Sequence, residues 1–280
     1  MRRILSVIAP VLALTIAAPA VAAEREARLV TPGGGWSFKG PFGAFDQASL
    51  QRGYKVYREV CSACHSMNLM SFRNLGEKYG PFWDEKYPNP ADNPYVKALA
   101  NQVETIKTID EESGDVKDRN GIAADRFPDP FPNEYAAKAS TGGYVPPDLS
   151  LIVKAREGGA DYVYSVLTGF RDAPAELTMA KNIYYNMSYP GDMSAAWKGD
   201  KHALPQGGLM GMKPPLAPDK VTFDDGTKST IEQQAKDVTT FLAWASEPKQ
   251  TERKRLGMWV LAYLIGMALL AYASYRRVWK

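Results

Sequence analysis

Cys61-Ser62-Ala63-Cys64-His65 is the stretch that decides how the rest of this chain is read. Two thiols two residues apart, followed at once by an imidazole, form a C-x-x-C-H motif, the pattern of c-type haem attachment. Each thiol can add across a haem vinyl group, and the neighbouring imidazole then lies close enough to bind the iron from one side. Three plainer readings share the pattern. A zinc site needs four ligands, and beyond these residues the chain offers only the distant His202. A thioredoxin-like redox pair belongs near a βαβ pattern, which the flanking sequence lacks. A structural disulfide is the third. The chain has two cysteines, both in the motif, so thiols that carry haem leave none for a disulfide.

Upstream of the motif, Leu50, Tyr54, Tyr57, Cys61 and Cys64 recur at i, i+4, i+7, i+11 and i+14, which predicts one face of a helix beginning near Asp46. Gly53 inside that helix costs about 1 kcal/mol against alanine; it is either a close contact with another helix or a tolerated glycine. Residues 24–44 are glycine-rich and read as an extended arm or loop. Downstream, residues 81–95 are proline-rich loop and Tyr95–Ile109 reads as a helix. Ile109–Asp115 is an acidic turn, solvated or used to dock a partner. Phe127–Pro132 reads as irregular, and Thr141–Leu149 as turn-rich. Ser150–Arg156 and Ala160–Leu167 read as short helices separated by Gly158-Gly159.

Residues 171–220 are rich in Gly, Pro and Met, with little periodicity. They read as a long loop, which in a compact domain is usually functional or disordered. Next, Ser229-Thr230-Ile231-Glu232 has capping-box form. Ile231, Ala235, Val238, Leu242 and Ala245 then follow a helical repeat that ends at Glu247-Pro248.

The two ends carry location signals. Arg2-Arg3, an apolar run from Ile4 to Ala18 and Val21-Ala22-Ala23 make a signal peptide over residues 1–23. The mature chain then begins near Glu24, and residues 24–248 form an exported haem domain. Residues 249–255 read as a charged linker. Leu256–Ser274 is 19 residues without a charge, enough for one transmembrane helix. Residues 275–280 would be a cytoplasmic tail. A bacterial inner-membrane protein follows, single-pass, with its haem domain on the periplasmic side. The net charge of +3 and the lack of a basic, aromatic-interleaved stripe point away from nucleic acid.

A haem held by His65 needs a further ligand to close the iron. Methionine is the natural one, because a Met/His pair raises the potential and suits electron transfer. Met212, ahead of Lys213-Pro214-Pro215, sits where the chain is pushed out of helix; Met210 is the alternative. A haem sensor or peroxidase with an open position, and a tethered donor to a terminal oxidase, stay as rival readings.

Several ordered motifs extend the reading. They are Arg52–Val60 leading into the haem motif, Phe127-Pro128-Asp129-Pro130-Phe131-Pro132-Asn133, Pro146-Pro147-Asp148-Leu149-Ser150 and Arg156–Val163. Leu167-Thr168-Gly169, Met212–Leu216, Phe223–Thr227 and Trp244–Pro248 complete them. With these, the chain from about Trp36 to its end resembles the cytochrome c1 family, the haem subunit of the ubiquinol–cytochrome c oxidoreductase (cytochrome bc1) complex. The resemblance implies a mainly α fold, a class I cytochrome c-like haem domain with long irregular loops and one C-terminal transmembrane helix. It implies haem c bound through Cys61 and Cys64, with His65 and Met212 as iron ligands. It puts Arg156 and Tyr162 near the haem propionates, where a guanidinium suits a carboxylate, and Pro146 and Pro147 against the haem. It also implies electron transfer from a Rieske iron–sulfur protein to a soluble c-type cytochrome, beside cytochrome b in the membrane. The chain would act as a subunit of that reductase, with no independent activity.

Overall fold

Asp46 starts the first helix by accepting a hydrogen bond from the Ser49 amide at 2.8 Å, which satisfies one of the orphan donors of the first turn. The computed structural model describes residues 26–104 and 106–279; the expected signal peptide lies outside them. The chain order is α1 (Gln47–Val56), α2 (Pro94–Asn101), β1 (Ile106–Ile109), β2 (Val116–Arg119), α3 (Glu134–Ser140), α4 (Gly159–Thr168), β3 (Tyr184–Asn186), β4 (Gly208–Met210), α5 (Ile231–Ser246) and α6 (Gln250–Trp279). The molecule is mostly helical, with long loops and few short strands.

The crossing of α1 and α5 is its centre. Gly53 faces α5 so closely that a Cβ there would collide with the Asp237 carbonyl and stand 2.7 Å from Phe241 Cβ. The glycine is therefore a close-packing residue. Beside it, Arg52 donates to the fully buried Asp237 carboxylate through Nε at 2.7 Å and Nη2 at 3.2 Å. Gln233 adds a third donor at 2.8 Å. Around the crossing pack Tyr54, Tyr57, Phe72, Phe127 and Phe241, with ring centroids 4.9–6.1 Å apart. α4 packs on α5 from another side. The glycine-rich arm is fastened to α4: Trp36 Nε1 and Thr31 Oγ1 donate to Asp161 at 2.7 and 2.9 Å, and Lys39 pairs with it at 2.5 Å.

Several local expectations are corrected. The helix expected over Tyr95–Ile109 ends at Asn101. Ile106, Thr108 and Ile109 are β-branched and pair instead with β2, antiparallel, with Ile109 opposite Val116. The acidic turn closes this hairpin, and the Asp110 side chain accepts from the Glu112 and Ser113 amides at 3.0 and 3.3 Å. Residues 150–156 form turns rather than a helix, because Asp148 takes the Ser150 amide at 2.8 Å. The cap of α5 is Thr230, one residue later than the capping-box pattern suggests, accepting from the Gln233 amide at 3.2 Å.

The stretch 171–220 is more ordered than a loop. Leu177, Tyr185 and Met193 form a second small core with Trp197, Leu204 and Leu209. The β3–β4 pair, with Tyr184 opposite Met210, runs through it. Gly207, at φ 115°, presses against the Asn186 carbonyl where a side chain would not fit.

α6 begins at Gln250, so most of the segment expected as a linker is its first turns. At 30 residues and about 1.5 Å per residue, it is long and apolar enough to cross a bilayer. Its apolar side chains from Leu256 onward are exposed.

Candidate cofactor site

Helix α1 does not run unchanged into the two thiols. From Tyr57 to Cys61 it widens into a π-helical turn, closed by the Ser62 amide donating to the Tyr57 carbonyl at 2.8 Å. Such turns insert one residue and re-aim the side chains that follow. The expected α-helical stripe therefore holds only to Tyr57; Cys61 ends the π turn and Cys64 falls in the turn after it. That turn is pinned by Cys64 and His65 amides donating to the Cys61 carbonyl at 3.1 and 2.9 Å. Both cysteines are half-buried free thiols. Burial pushes the Cys61 thiol up to about 12, against the opposing pull of the nearby Lys220 ammonium.

His65 is oriented by one contact. Its Nδ1 lies 2.8 Å from the Pro147 carbonyl oxygen. A carbonyl can only accept, so Nδ1 carries the proton and Nε2 keeps its lone pair for a metal. Burial lowers the imidazole pKa, and the Pro147 carbonyl and Asp148 act against that. The Pro147 segment is itself held firmly. The Asp148 carboxylate accepts from Ser66 Oγ at 2.9 Å, the Asn68 amide at 2.7 Å and the Ser150 amide at 2.8 Å. The Leu149 amide donates to the Ser66 carbonyl at 2.9 Å. Burial pushes Asp148 up, but these donors outweigh it and hold the carboxyl below its usual range.

The methionine candidates flank a glycine that touches the same loop at Tyr144. Met210 ends β4, and Met212 is half-buried just beyond it. Between them, Gly211 lies so flat on the Tyr144 ring that a Cβ would come within 2.5 Å of it. Tyr144 is three residues before Pro147, so one short loop touches both His65 and the Met210–Met212 run. Past Met212, Lys220 ties back to the Pro215 carbonyl at 2.7 Å and stands near Cys61. His202 is exposed in a short 3-10 turn, Lys201–Ala203.

Arg156 and Tyr162 form a pair at the start of α4. Burial raises the Tyr162 pKa, and the adjacent Arg156 guanidinium opposes the rise. Asp148, Tyr144 and Lys220 escaped the sequence reading as parts of the site. Only Asp148 carried a signal, the Asp-x-Ser spacing of a side chain that caps its own turn.

The arrangement fits a covalently held haem. Two free thiols flank a turn, and the imidazole after them presents Nε2 in a fixed tautomer. Gly211, between the two methionines, touches the loop that orients the imidazole. The rival readings fare worse. Among the described residues no group of three or more His, Cys, Asp and Glu side chains is arranged to hold a metal ion. Among the described residues the two small sheets are antiparallel pairs, and no βαβ unit stands beside the thiols.

Residues 36–280 match the model of the Cytochrome C1 family. The chain is 43% identical over 267 residues to the cytochrome b/c1 of Bradyrhizobium diazoefficiens, covering 89% of this chain and 35% of that longer protein. It is 42% identical over 245 residues to the mitochondrial cytochrome c1 haem protein of Kluyveromyces lactis, covering 87% of this chain and 74% of the relative. A mitochondrial cytochrome c1 of Arabidopsis thaliana is 38% identical over 266 residues, with 95% and 77% covered.

Proposed function

The chain belongs to the cytochrome C1 family, haem subunits of the bc1 complex, and from that premise we propose that it is the membrane-anchored electron-transfer subunit of a quinol–cytochrome c reductase. It takes an electron from a Rieske iron–sulfur protein and passes it to a soluble c-type cytochrome, with cytochrome b as its neighbour in the membrane. The observation that carries this reading is the His65 Nδ1–H to Pro147 bond of 2.8 Å, which presents Nε2 for metal ligation.

In this reading Cys61 and Cys64 hold haem c through thioethers, and His65 and Met212 bind its iron. Arg156 and Tyr162 meet the propionates, and Pro146 and Pro147 pack against the ring. The haem supplies reversible one-electron chemistry. The chain's own part is to hold both ligands, exclude water and fix the potential. Asp148 keeps the Pro147 carbonyl in place, so the imidazole cannot swing. α6 crosses the membrane once, with the domain exported to the periplasm and residues 275–280 in the cytoplasm.

The test is to purify the complex containing this chain and to assay haem bound to it after denaturation. Cytochrome b and a Rieske protein should copurify, and haem should stay with the chain. Haem that dissociates on denaturation, from a chain bearing intact Cys61 and Cys64, contradicts covalent attachment. A chain purified free of cytochrome b contradicts the complex.

A further inference from the structure

Where α6 leaves the globular domain, its first turns and the loop from Pro41 to Ala44 enclose a cleft of about 210 Å³. Thr251, Lys254, Arg255 and Met258 line the helix side, a spacing that puts them along one face. Thr251 is only 3% exposed, and its hydroxyl has no hydrogen-bond partner among the described residues. A buried hydroxyl left unpaired is costly, and this one belongs to a residue that lines a cleft holding two cations. Lys254 donates to the Phe38 carbonyl at 2.5 Å and leans on Gly43. Arg255 reaches the Tyr79 hydroxyl at 2.9 Å with one nitrogen and leaves its other donors unassigned. Among the described residues no acidic side chain lines the cleft. The N-terminal turn of a long helix adds its positive dipole end.

The level of the cleft matters as much as its charge. Leu256 begins the uncharged run, and Trp259 is 76% exposed one turn further on, where aromatic rings settle at a headgroup boundary. Phe42 and Met258, on the rim, are exposed apolar side chains. A free anion would gain nothing from that rim; a lipid with an anionic head and apolar tails uses both parts.

We propose that this cleft binds the phosphate of an anionic phospholipid, held by Thr251, Lys254 and Arg255, with the glycerol and first acyl carbons along Met258 and Phe42. The proposal rests on α6 spanning the membrane. The site anchors the domain at a fixed height and tilt over the bilayer.

The test uses the full chain in its purified complex, delipidated in detergent and offered phosphatidylglycerol or phosphatidylcholine, with retained lipid counted by native mass spectrometry. Wild type should retain one more phosphatidylglycerol than Thr251→Val or Arg255→Gln, and each variant should bind it about tenfold more weakly, the size of one lost hydrogen bond to a charged group. Equal retention by wild type and both variants, or no preference over phosphatidylcholine, overturns the site. Displacement of the lipid by millimolar inorganic phosphate also overturns it, in favour of a free-anion site. Alkaline extraction of the membranes separates the two readings. A chain that washes off as peripheral removes the span and the lipid site together. A chain that stays integral but shows no preference removes the lipid site alone.

Discussion

His65 donates its Nδ1 proton to the carbonyl oxygen of Pro147 across 2.8 Å. The donor follows the second cysteine directly, while the acceptor is brought from a distant loop by Asp148. The orientation of the imidazole therefore depends on a carboxylate that does not touch it, through the loop that carries Pro147. Asp148→Ala should leave haem attached but loosen the imidazole. The expected outcome is a shifted reduction potential and a loss of about 1–2 kcal/mol of stability, since a half-buried, charge-assisted hydrogen-bond set, partly screened by solvent, is removed. A potential equal to wild type would show that Pro147 is held without it.

The α1–α5 crossing allows a cleaner test. In Gly53→Ala the new methyl meets the Asp237 backbone and Phe241 Cβ, neither of which can swing aside. A destabilisation of about 3 kcal/mol, at the upper end for overpacking, should appear as a lowered melting temperature. Gly257→Ala, in the open face of α6 with nothing within 4 Å, is the control and should be neutral.

Arg52→Met strands the Asp237 carboxylate, whose side chain is fully buried. Losing one partner of a buried ion pair costs about 3–5 kcal/mol. The double variant Arg52→Met/Asp237→Leu should regain much of that loss in denaturant unfolding. If the double variant is as unstable as the single, the uncompensated charge is not the cause.

Acid should release the N-terminal arm. Burial pushes Asp161 up, but bonds from Lys39, Trp36 and Thr31 outweigh it and leave its carboxyl below the usual range. A carboxyl depressed on folding contributes stability above its unfolded pKa of about 3.9, and that stability fades as pH falls through the folded value. Proteolysis of the arm should therefore rise only below about pH 4, and Asp161→Asn should show the exposed arm at neutral pH. An arm equally protected in both proteins at neutral pH would sink this account.

The legible parts of the chain were those with a repeat or a fixed spacing. α1, α5 and α6 follow apolar periodicity or length, and the Cys61–His65 motif names its own chemistry. Gly53 gave a true hint of close packing. The π turn at Tyr57–Cys61 was invisible, because inserting one residue breaks the very period being read. β3 and β4 are three residues each, too short for alternation to register, and Leu177 and Met193, which share the small core with Tyr185 of β3, lie in loop. The overrun of α2 came from extending an apolar run past Asn101 into β-branched Ile106–Ile109. The Tyr144 contact with Gly211 depends on two loops meeting, which no local pattern encodes.

The pairing of His65 with Met212 is the central claim, and the reduction potential of the Met212→Leu and Met210→Leu proteins, read beside carbon monoxide binding, tests it most directly. A methionine ligand raises the potential and closes the iron. The Met212→Leu protein should therefore show a markedly lower potential, bind carbon monoxide and lose quinol-dependent cytochrome reduction, while Met210→Leu stays close to wild type. An unchanged potential and turnover in Met212→Leu, or the same losses in Met210→Leu instead, would contradict it.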